Sequence, residues 1–358
     1  MENLKFAIIG AGAGGQSMAA ILADKGYSVK LQDVDKRVVE ELNRLDNIIL
    51  MGKYEIMAKP ELITTDAMEA IKGADIIMVV TTANSHEAVA ESIARYIGPN
   101  QIIILNPGFI GGSLSFQNSL KKNGCSHDIL VAETSDLMYT CRIQKTGMIF
   151  HSGLKKSMDI AAVPASRTQD IIDMIGEIFP ILSPAESILH TGFKHCGAIL
   201  HSIPMILNVN RIDKKEDFEY YMEGMTPTVA KIAEKVDLER VEIARAFNID
   251  IPTTRENVSI SYGAVGNNLY EVIQNNKAYS GVKAPSSLSH RFLVEDTFGS
   301  LVPLASIAKE IGIPTPGMDA IISLISLATD VDYAKEGRTA EKLGIGGKTI
   351  EEIYKIIL

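Results

Sequence analysis

Residues 6–15 read FAIIGAGAGG, in which a short apolar run leads directly into a glycine-rich turn. The apolar run predicts a buried parallel strand, and the residues after the turn predict a helix that ends at Gly26. Gly10 permits a tight turn, Gly12 lets the backbone approach a pyrophosphate, and Gly15 lets the helix pack closely on the strand. Because the free N–H groups at the start of that helix would face the phosphates, this stretch predicts a dinucleotide-binding turn.

A carboxylate, Asp33, ends the next predicted strand, SVKLQD. A carboxylate at this place accepts hydrogen bonds from the adenosine ribose hydroxyls and repels a 2′-phosphate, which favours NAD over NADP. Lys36 and Arg37 lie just downstream and could hold that phosphate, so NADP remains an alternative cofactor. A second alternative is an ordinary βαβ unit in which Asp33 merely ends a strand.

The composition is that of an ordinary soluble globular protein, with 46% of the 358 residues hydrophobic and 22% charged. The formal net charge of −9 argues against nucleic acid or an anionic membrane as the main partner. We expect a cytoplasmic protein, because the sequence shows no signal peptide or membrane-length apolar run and its three cysteines fit reduced thiols. No cysteine or histidine spacing is typical of a metal site, so the sequence predicts no metal.

Short apolar runs alternate with helical patterns over residues 1–185, which predicts a parallel sheet covered on both faces. The runs at 75–80, 101–106 and 129–134 are the clearest interior strands, and each ends in polar or small residues. In such a sheet, ligands bind outside the carboxyl ends of the strands. The predicted cofactor-binding residues are therefore Gly10, Gly12, Ala13, Gly15, Asp33, Thr81, Asn106, Pro107 and Glu133.

Strand signals fade after Pro184, and helical periodicity dominates residues 186–358. Helices are predicted over residues 194–208, 227–247, 255–275, 301–311 and 318–329. The predicted fold class is therefore α/β, with an N-terminal Rossmann dinucleotide-binding domain and a second, all-α C-terminal domain.

Three polar residues, Lys194, His201 and Asn208, recur every seven positions in FKHCGAILHSIPMILN, so one continuous helix would place them on one face. Pro204 removes a backbone donor and should kink that helix beside His201. His201 is thus a candidate for proton transfer, although a histidine on an apolar helix is more often a packing residue. The remaining candidates are weaker: His195 lies off this face, His127 and His151 fall in predicted surface connections, and His86 starts a helix beside the cofactor.

A second group of charged residues lies in APSSLSHRFLVEDTFGSLVPL. A buried carboxylate bonded to one imidazole nitrogen fixes the tautomer and raises the basicity of the other nitrogen, and Asp296 could do this for His201. Alternatively, Asp296 and Thr297 cap the next helix. Arg291 could bind a substrate carboxylate, or it could form an interdomain salt bridge.

Several stretches together resemble the opine dehydrogenases, the octopine/nopaline dehydrogenase family. They are GAGAGG, IIILNPG, VAETSDLMYTCRI, LHSIPMILN, GRTAEKLGIGGKTIEEI and, most specifically, SHRFLVEDTFGSLVPLASIAKEIGIPTP. The resemblance covers essentially the whole chain. It implies a two-domain NAD(P)-dependent enzyme that joins an amino acid to a 2-keto acid such as pyruvate and reduces the resulting imine. One departure is Thr297, where related sequences often have an apolar residue.

The resemblance also implies roles for individual residues. The family's catalytic His and Asp match His201 and Asp296. Separately from the resemblance, Arg291, Asn208, Lys194 and Arg142 are the candidates for substrate binding, because the basic residues among them would offset the substrate carboxylates. By analogy with this architecture, we expect a homodimer formed through the helical domain.

Two other functions stay open on the sequence. A reductase of 2-keto or 3-hydroxy acids would use Lys194 and Asn208 on the carbonyl oxygen and would need no amine. A non-catalytic module that senses NADH would bind the cofactor tightly and turn over no pair of substrates.

Overall fold

The chain divides into two compact units. The computed structural model describes residues 4–155 and 157–358. The first unit ends at Thr191 and also includes Tyr354–Leu358, and the second unit is Gly192–Ile353. The boundary drawn from the sequence, between residues 185 and 186, falls shortly before this point. The C-terminal segment also differs from the prediction, because the Leu358 carbonyl accepts a hydrogen bond from the Ser166 N–H at 3.2 Å within the first unit.

The strands of the first unit form two sheets. Their bounds are β1 (Lys5–Ile9), β2 (Ser28–Gln32), β3 (Ile48–Gly52), β4 (Ile56–Ala58), β5 (Leu62–Thr64), β6 (Ile76–Val79), β7 (Ile102–Leu105), β8 (Leu130–Thr134), β9 (Tyr139–Lys145), β10 (Met148–Leu154), β11 (Met158–Val163) and β12 (Leu182–Pro184). The larger sheet has the order β12-β11-β8-β7-β6-β1-β2-β5. All neighbours in it are parallel except β8 and β11, which are antiparallel. The order from β5 to β8 is that of a doubly wound dinucleotide-binding sheet, as the sequence predicts.

Helices cover both faces of this sheet. They are α1 (Ala13–Asp24), α2 (Lys36–Arg44), α3 (Ala67–Ile71), α4 (His86–Ile93), α5 (Gly112–Lys122) and α6 (Thr168–Ile175), and a further helix, α7 (Ile188–Phe193), runs across the boundary. Alternate residues of β1 enter different cores: Phe6 and Ile8 lie in one buried cluster, and Ala7 and Ile9 lie in the other. This burial on both faces explains why the interior strands are continuously apolar rather than alternating.

The smaller sheet, with the order β4-β3-β10-β9, was not predicted from the sequence. It is attached to α1, because the Gly147 N–H donates to Gln16 Oε1 at 2.9 Å and His151 Nε2 lies 2.7 Å from Ser17 Oγ. His151 is therefore a buried residue of β10, and its expected place in a surface connection is wrong. Burial also lowers the pKa of the His151 imidazole.

The second unit is built from helices. Their bounds are α8 (Gly197–Leu200), α9 (Ser202–Leu207), α10 (Val209–Asp213), α11 (Pro227–Ala246), α12 (Thr254–Tyr262), α13 (Leu269–Gln274), α14 (Arg291–Asp296), α15 (Val302–Glu310), α16 (Pro316–Thr329), α17 (Tyr333–Glu336), α18 (Ala340–Leu343) and α19 (Ile350–Ile357), which runs past the end of this unit. A π-helical segment, Thr297–Leu301, joins α14 to α15. Among the described residues, no helix has the length and hydropathy needed to span a membrane.

Two of the predicted helices are interrupted in the structure. Residues 194–208 do not form one helix, because α8 and α9 are separated by His201, whose φ of −117° and ψ of −67° depart from helical values. Pro204 lies one turn further on and has no N–H to continue the ladder. Residues 255–275 are also divided, because Gly263, at φ +70°, ends α12 in the left-handed region.

Candidate active site

The glycine turn between β1 and α1 has the close contacts that its sequence predicts. Gly10 has a φ of +103°, which favours glycine. A Cβ on Gly15 would collide with the Gly10 carbonyl oxygen, so only glycine lets the helix lie this close to the strand. A Cβ on Gly12 would meet nothing within 4 Å, and Gly12 supplies no side chain to cap α1. The start of α1, at Ala13, is therefore an open backbone surface suited to an anion.

Asp33 follows β2 and is hydrogen-bonded to the glycine turn. Its Oδ2 accepts a hydrogen bond from the Ala11 N–H at 2.6 Å, and its Oδ1 accepts one from the Asp35 N–H at 2.8 Å. Nearby, the Arg37 guanidinium donates to Asp35 and holds the pKa of the Asp35 carboxyl below its usual value. The Arg37 side chain is 90% exposed. Asp33 is thus the acidic group fixed against the glycine turn, whereas the basic residues extend into solvent.

The carboxyl ends of β6 and β7 carry buried polar atoms that have no partner within the described chain. They are the Thr81 hydroxyl oxygen and the Asn106 amide nitrogen. The Asn106 amide oxygen, in contrast, accepts hydrogen bonds from the Thr134 hydroxyl at 3.0 Å and the Met138 N–H at 3.2 Å. These two contacts fix the orientation of the amide, with Pro107 next in the chain. A bound ligand would supply the missing partners of Thr81 and Asn106.

Glu133, a predicted cofactor-binding residue at the end of β8, has a different environment. Its side chain is fully buried, and its two oxygens accept hydrogen bonds from the Ser113 N–H at 2.7 Å and the Thr191 hydroxyl at 3.3 Å. A buried carboxylate needs such donors, and the first turn of α5 offers a free N–H and a favourable dipole. These contacts give Glu133 a structural role, and its predicted cofactor contact stays a prediction.

In the second unit, Gly192–Ile353, which we call the helical unit, Asp296 lies between two imidazoles. Its Oδ2 is 2.9 Å from His201 Nδ1, and its Oδ1 is 3.1 Å from His195 Nε2. An ionised carboxylate only accepts hydrogen bonds, so both of these ring nitrogens must be protonated and donate. His201 therefore contacts Asp296 through Nδ1, which leaves Nε2 as the ring nitrogen that does not bind this carboxylate. Sequence reasoning placed His195 off this group and missed its contact with Asp296.

The ionised state of Asp296 is strongly favoured. Burial alone would raise the pKa of its carboxyl, but the charge of His201 and the hydrogen bonds from His195 and His201 outweigh burial and hold this pKa well below its usual range. The Asp296 carboxylate is therefore ionised where it meets His201.

The backbone around this group explains how the three side chains meet. A Cβ on Gly197 would collide with both Asp296 Oδ1 and His195 Nε2, so the glycine makes room for their contact. Helical turns run without interruption from Arg291 to Glu310 through the π-helical segment. The alternative in which Asp296 and Thr297 cap a new helix is therefore wrong. The Thr297 hydroxyl instead donates to Ser202 Oγ at 3.2 Å, beside His201.

Aromatic side chains enclose His201. Its ring stacks face to face on Phe292, with centroids 4.0 Å apart and an interplanar angle of 2°. The Tyr220 hydroxyl donates to the His201 carbonyl at 2.5 Å, and burial raises the pKa of that hydroxyl well above its ordinary value. The imidazole is thus held both by its ring face and by its backbone.

The predicted substrate-binding residues lie in different settings. Arg291 begins α14 with a 62% exposed side chain, and its guanidinium lies 3.4 Å from Glu295, so it forms an ion pair within its own helix. Lys194 is exposed and lies outside the helices. Both N–H groups of the buried Asn208 amide donate to backbone carbonyls, those of Pro204 at 2.8 Å and Gly224 at 3.0 Å, so this amide has a structural role. Arg142 is exposed on β9, at the edge of the smaller sheet in the first unit.

No metal-binding group of three or more His, Cys, Asp or Glu side chains occurs within residues 4–155 and 157–358.

Comparison with known proteins identifies the family. The family model for the NAD/NADP octopine/nopaline dehydrogenase alpha-helical domain matches residues 184–329, and that for the NAD-dependent glycerol-3-phosphate dehydrogenase N-terminus matches residues 5–122. A curated opine dehydrogenase from Arthrobacter sp. (strain 1C) is 40% identical over 358 residues, which are 100% of this chain and 99% of the relative. A vitopine synthase from Allorhizobium ampelinum is 23% identical, over 87% of this chain and 86% of the relative.

Solved structures share the whole fold. Octopine dehydrogenase with NADH and L-arginine superposes with a TM-score of 0.81 at 20% identity, covering 98% of each chain. NADP⁺-bound yersinopine dehydrogenase gives a TM-score of 0.79 at 15% identity, covering 99% of this chain and 98% of that one. With full-length identity of 40% to a curated member, the chain belongs to the opine dehydrogenase family and is an NAD(P)-dependent oxidoreductase that acts on CH–NH donors.

Proposed function

We propose that this chain joins the amino group of an amino acid to a 2-keto acid such as pyruvate and reduces the resulting imine, with His201 as the acid–base residue. The observation that carries the proposal is the 2.9 Å contact between His201 Nδ1 and Asp296 Oδ2. This contact fixes the tautomer of the neutral imidazole, so that the lone pair lies on Nε2. His201 Nε2 would then exchange a proton with the nitrogen or oxygen at the reacting centre.

The sheet unit offers the groups that would hold a dinucleotide. The open start of α1 beside Gly12 suits the pyrophosphate, and Asp33 suits the ribose hydroxyls. The unpartnered polar atoms of Thr81 and Asn106 at the ends of β6 and β7 are further candidate contacts. NAD(P)H, when bound, supplies the hydride for the reduction. We propose NAD as the preferred cofactor, because the Asp33 carboxylate would repel a 2′-phosphate.

The substrate contacts rest on the charged residues of the helical unit. Arg291 has an exposed guanidinium on the helix that ends in Asp296, and such a group binds carboxylates through paired hydrogen bonds. Related structures have been solved with NADH and L-arginine, with NADH and agmatine, and with NADH and pyruvate. These ligands of the relatives support an amino acid and pyruvate as the substrate classes to test here.

The alternative of a 2-keto or 3-hydroxy acid reductase is weakened by two hydrogen bonds of Asn208. That reaction would use Asn208 on the carbonyl oxygen, but both of its amide N–H groups donate to backbone carbonyls. Lys194, the other residue of that alternative, is exposed, so its replacement provides the matched variant for the test below.

The test is NADH oxidation by the purified protein with pyruvate, measured with and without a mixture of neutral, basic and sulfur-containing amino acids. We expect turnover only when both substrates are present. We also expect His201→Ala to abolish turnover while NADH binding persists, and Lys194→Ala to retain more of the activity. Turnover with pyruvate alone that is lost in Lys194→Ala and kept in His201→Ala would establish the reductase instead. Tight NADH binding without turnover of any pair would support the sensing module.

We propose further that the protein acts in the cytoplasm as a homodimer. Cys125, Cys141 and Cys196 carry thiols that are not joined in disulfides, which is compatible with a reducing compartment. The α16 helix exposes Leu324 and Leu327, which could contribute to a dimer contact. Size-exclusion chromatography with light-scattering detection would give the mass of the protein in solution. A monomer at all concentrations would exclude the dimer.

A further inference from the structure

The Asp296 carboxylate has two donors, and only one of them has been given a role in the proposed reaction. His201 binds one oxygen, and His195 binds the other at 3.1 Å. His201 contacts the carboxylate through its Nδ1 atom, and His195 contacts it through its Nε2 atom. The two rings bind different oxygens of the carboxylate. Asp296 is 4% exposed as a residue. Each of its oxygens therefore needs a protein donor in place of water.

The segment that carries His195 is fixed to the core of the helical unit. The buried Arg240 side chain donates to the Phe193 carbonyl at 2.6 Å and to the Pro252 carbonyl at 2.9 Å. The His195 N–H donates to the Gly192 carbonyl at 3.0 Å. Gly197, two residues further on, leaves the space that His195 Nε2 and Asp296 Oδ1 occupy. The backbone thus brings His195 to Asp296 at a fixed place.

We propose that His195 is a positioning residue that holds Asp296 Oδ1 and thereby sets the orientation and effective charge of the carboxylate presented to His201. This inference rests on the proposed function, in which His201 exchanges the proton. A hydrogen bond to one oxygen draws negative charge toward it and fixes the rotation of the carboxyl group. With His195 absent, the carboxylate would act on His201 alone and would also be free to rotate.

The consequence for His201 has a definite sign. A carboxylate that loses its second donor keeps more negative charge on the oxygen that faces His201, so it attracts the His201 imidazolium more strongly than the wild-type carboxylate does. The limb of the pH–rate profile controlled by His201 then moves to higher pH in both reaction directions. The other titratable groups near His201, namely His290 and Arg291 at the start of α14 and the buried Tyr220 and Tyr221, are unchanged in these variants.

The decisive comparison uses three substitutions at one position. His195→Gln keeps an amide N–H near the place of Nε2, His195→Asn keeps an amide that is too short to reach, and His195→Leu removes the donor. We expect kcat to fall about ten- to a hundredfold in the Asn and Leu variants with little change in KM, as is typical when an orienting partner is lost. The Gln variant should recover most of this loss. His127→Leu, which changes an exposed histidine of the sheet unit, is the matched control.

A readout without turnover separates this inference from the proposed function. In protein labelled with ¹⁵N-histidine, the His201 signal is assigned by its absence in His201→Ala, and its titration is followed with no substrate present. The Leu and Asn variants should titrate at higher pH than the wild type, and the Gln variant should match it. If His201→Ala still turns over, the proposed function fails even where this titration behaves as expected.

Gly197→Ala gives a second route to the same contact. Its methyl group enters between Asp296 Oδ1 and His195 Nε2 while both polar side chains remain. We expect the same rise in the His201 titration and the same loss of kcat as in His195→Leu. Unchanged kcat and titration in the Asn, Leu and Gly197→Ala variants would overturn the inference. The inference would also be overturned if kcat fell as far in His195→Gln as in His195→Leu, because hydrogen-bond donation would then not explain the role of His195.

Discussion

Replacing Asp296 by asparagine removes the charge of this carboxylate while keeping its shape. The wild-type side chain accepts from two imidazoles, at 2.9 Å and 3.1 Å. An asparagine has one acceptor oxygen, and its NH₂ group can only donate. One of the two imidazoles must therefore face a donor and change its tautomer or turn away. If that imidazole is His201, its proton moves to Nε2, and the ring can no longer act as a base there.

The expected loss of rate follows from the tautomer and from the missing charge. Substituting the carboxylate that orients a catalytic histidine costs about 10³–10⁴-fold in kcat, or about 4–5.5 kcal/mol of transition-state stabilisation. The effect on stability is smaller. A hydrogen bond to a charged group contributes about 1.5–3 kcal/mol, and the asparagine side chain would retain one of the two contacts, so we expect the free energy of unfolding to fall by about that amount.

The stability effect should depend on pH in a definite direction. The folded-state pKa of Asp296 lies below that of the unfolded chain, so its contribution to stability is present above the ordinary carboxyl range. It is lost as the pH falls through the folded-state pKa. The difference in unfolding free energy between the wild type and Asp296→Asn should therefore shrink as the pH falls below about 4.

The assay is steady-state NADH oxidation at saturating keto acid and amino acid, with NADH affinity measured separately by fluorescence. Asp250→Asn, an exposed carboxylate of the same unit, is the matched control and should keep wild-type kcat. We expect Asp296→Asn to bind NADH normally. A kcat within about tenfold of the wild type would refute the reasoning, because the loss expected from a wrong tautomer is at least about a hundred times larger than that.

Substitutions at Asp33, in the glycine turn and at Arg240 test the rest of the account. Asp33→Ala should weaken NADH binding and reduce the preference for NADH over NADPH, measured as the ratio of kcat/KM for the two cofactors; an unchanged ratio would count against Asp33 as the selecting group. Gly15→Ala should lower the free energy of unfolding by about 1–3 kcal/mol in chemical denaturation, because its methyl group overpacks the turn. Gly12→Ala should chiefly weaken NADH binding, because a methyl group there meets no protein atom. Arg240→Met should lower the free energy of unfolding by about 3–5 kcal/mol, because the Arg240 side chain is fully buried and ion-paired. Arg245→Met, which changes an exposed residue of the same helix, should have little effect. Equal effects of the two substitutions would contradict the role of Arg240 in fixing the segment that carries His195.

The nucleotide-binding half of the fold could be predicted because short-range sterics determine it. Gly10 and Gly15 are required by a φ of +103° and by a close backbone contact, and both constraints lie within one turn of chain. Continuous apolar strands likewise report burial on both faces. The smaller sheet could not be predicted in this way, since β3 pairs with β10 across a long sequence separation.

The helical half was predicted in class but not in detail. The seven-residue spacing of Lys194, His201 and Asn208 predicts one polar face only if the helix is continuous. The structure breaks it at His201, so Lys194 lies outside the helices and Asn208 is tied to backbone carbonyls. Pro204 was the available signal of this break. A kink at Pro204 is incompatible with one straight polar face that includes Lys194, His201 and Asn208.

The contact between His195 and Asp296 had no local signal. The two residues are separated by 101 positions, and His195 lies off the face that the spacing defined. Gly197 was the only nearby hint, because a glycine within an apolar helical segment often marks a close approach. What it approaches is decided by tertiary packing, which a single sequence does not reveal.

The most direct test of the central claim is the fate of the amino nitrogen. The wild-type protein would be incubated with NADH, pyruvate and ¹⁵N-labelled amino acids, and the products analysed by mass spectrometry alongside His201→Ala. The account predicts a secondary amine that retains the ¹⁵N and the carbon skeletons of both substrates, formed in equal amount to the NADH consumed and absent in the variant. Consumption of NADH with the labelled amino acid unchanged and pyruvate reduced to its hydroxy acid would contradict it.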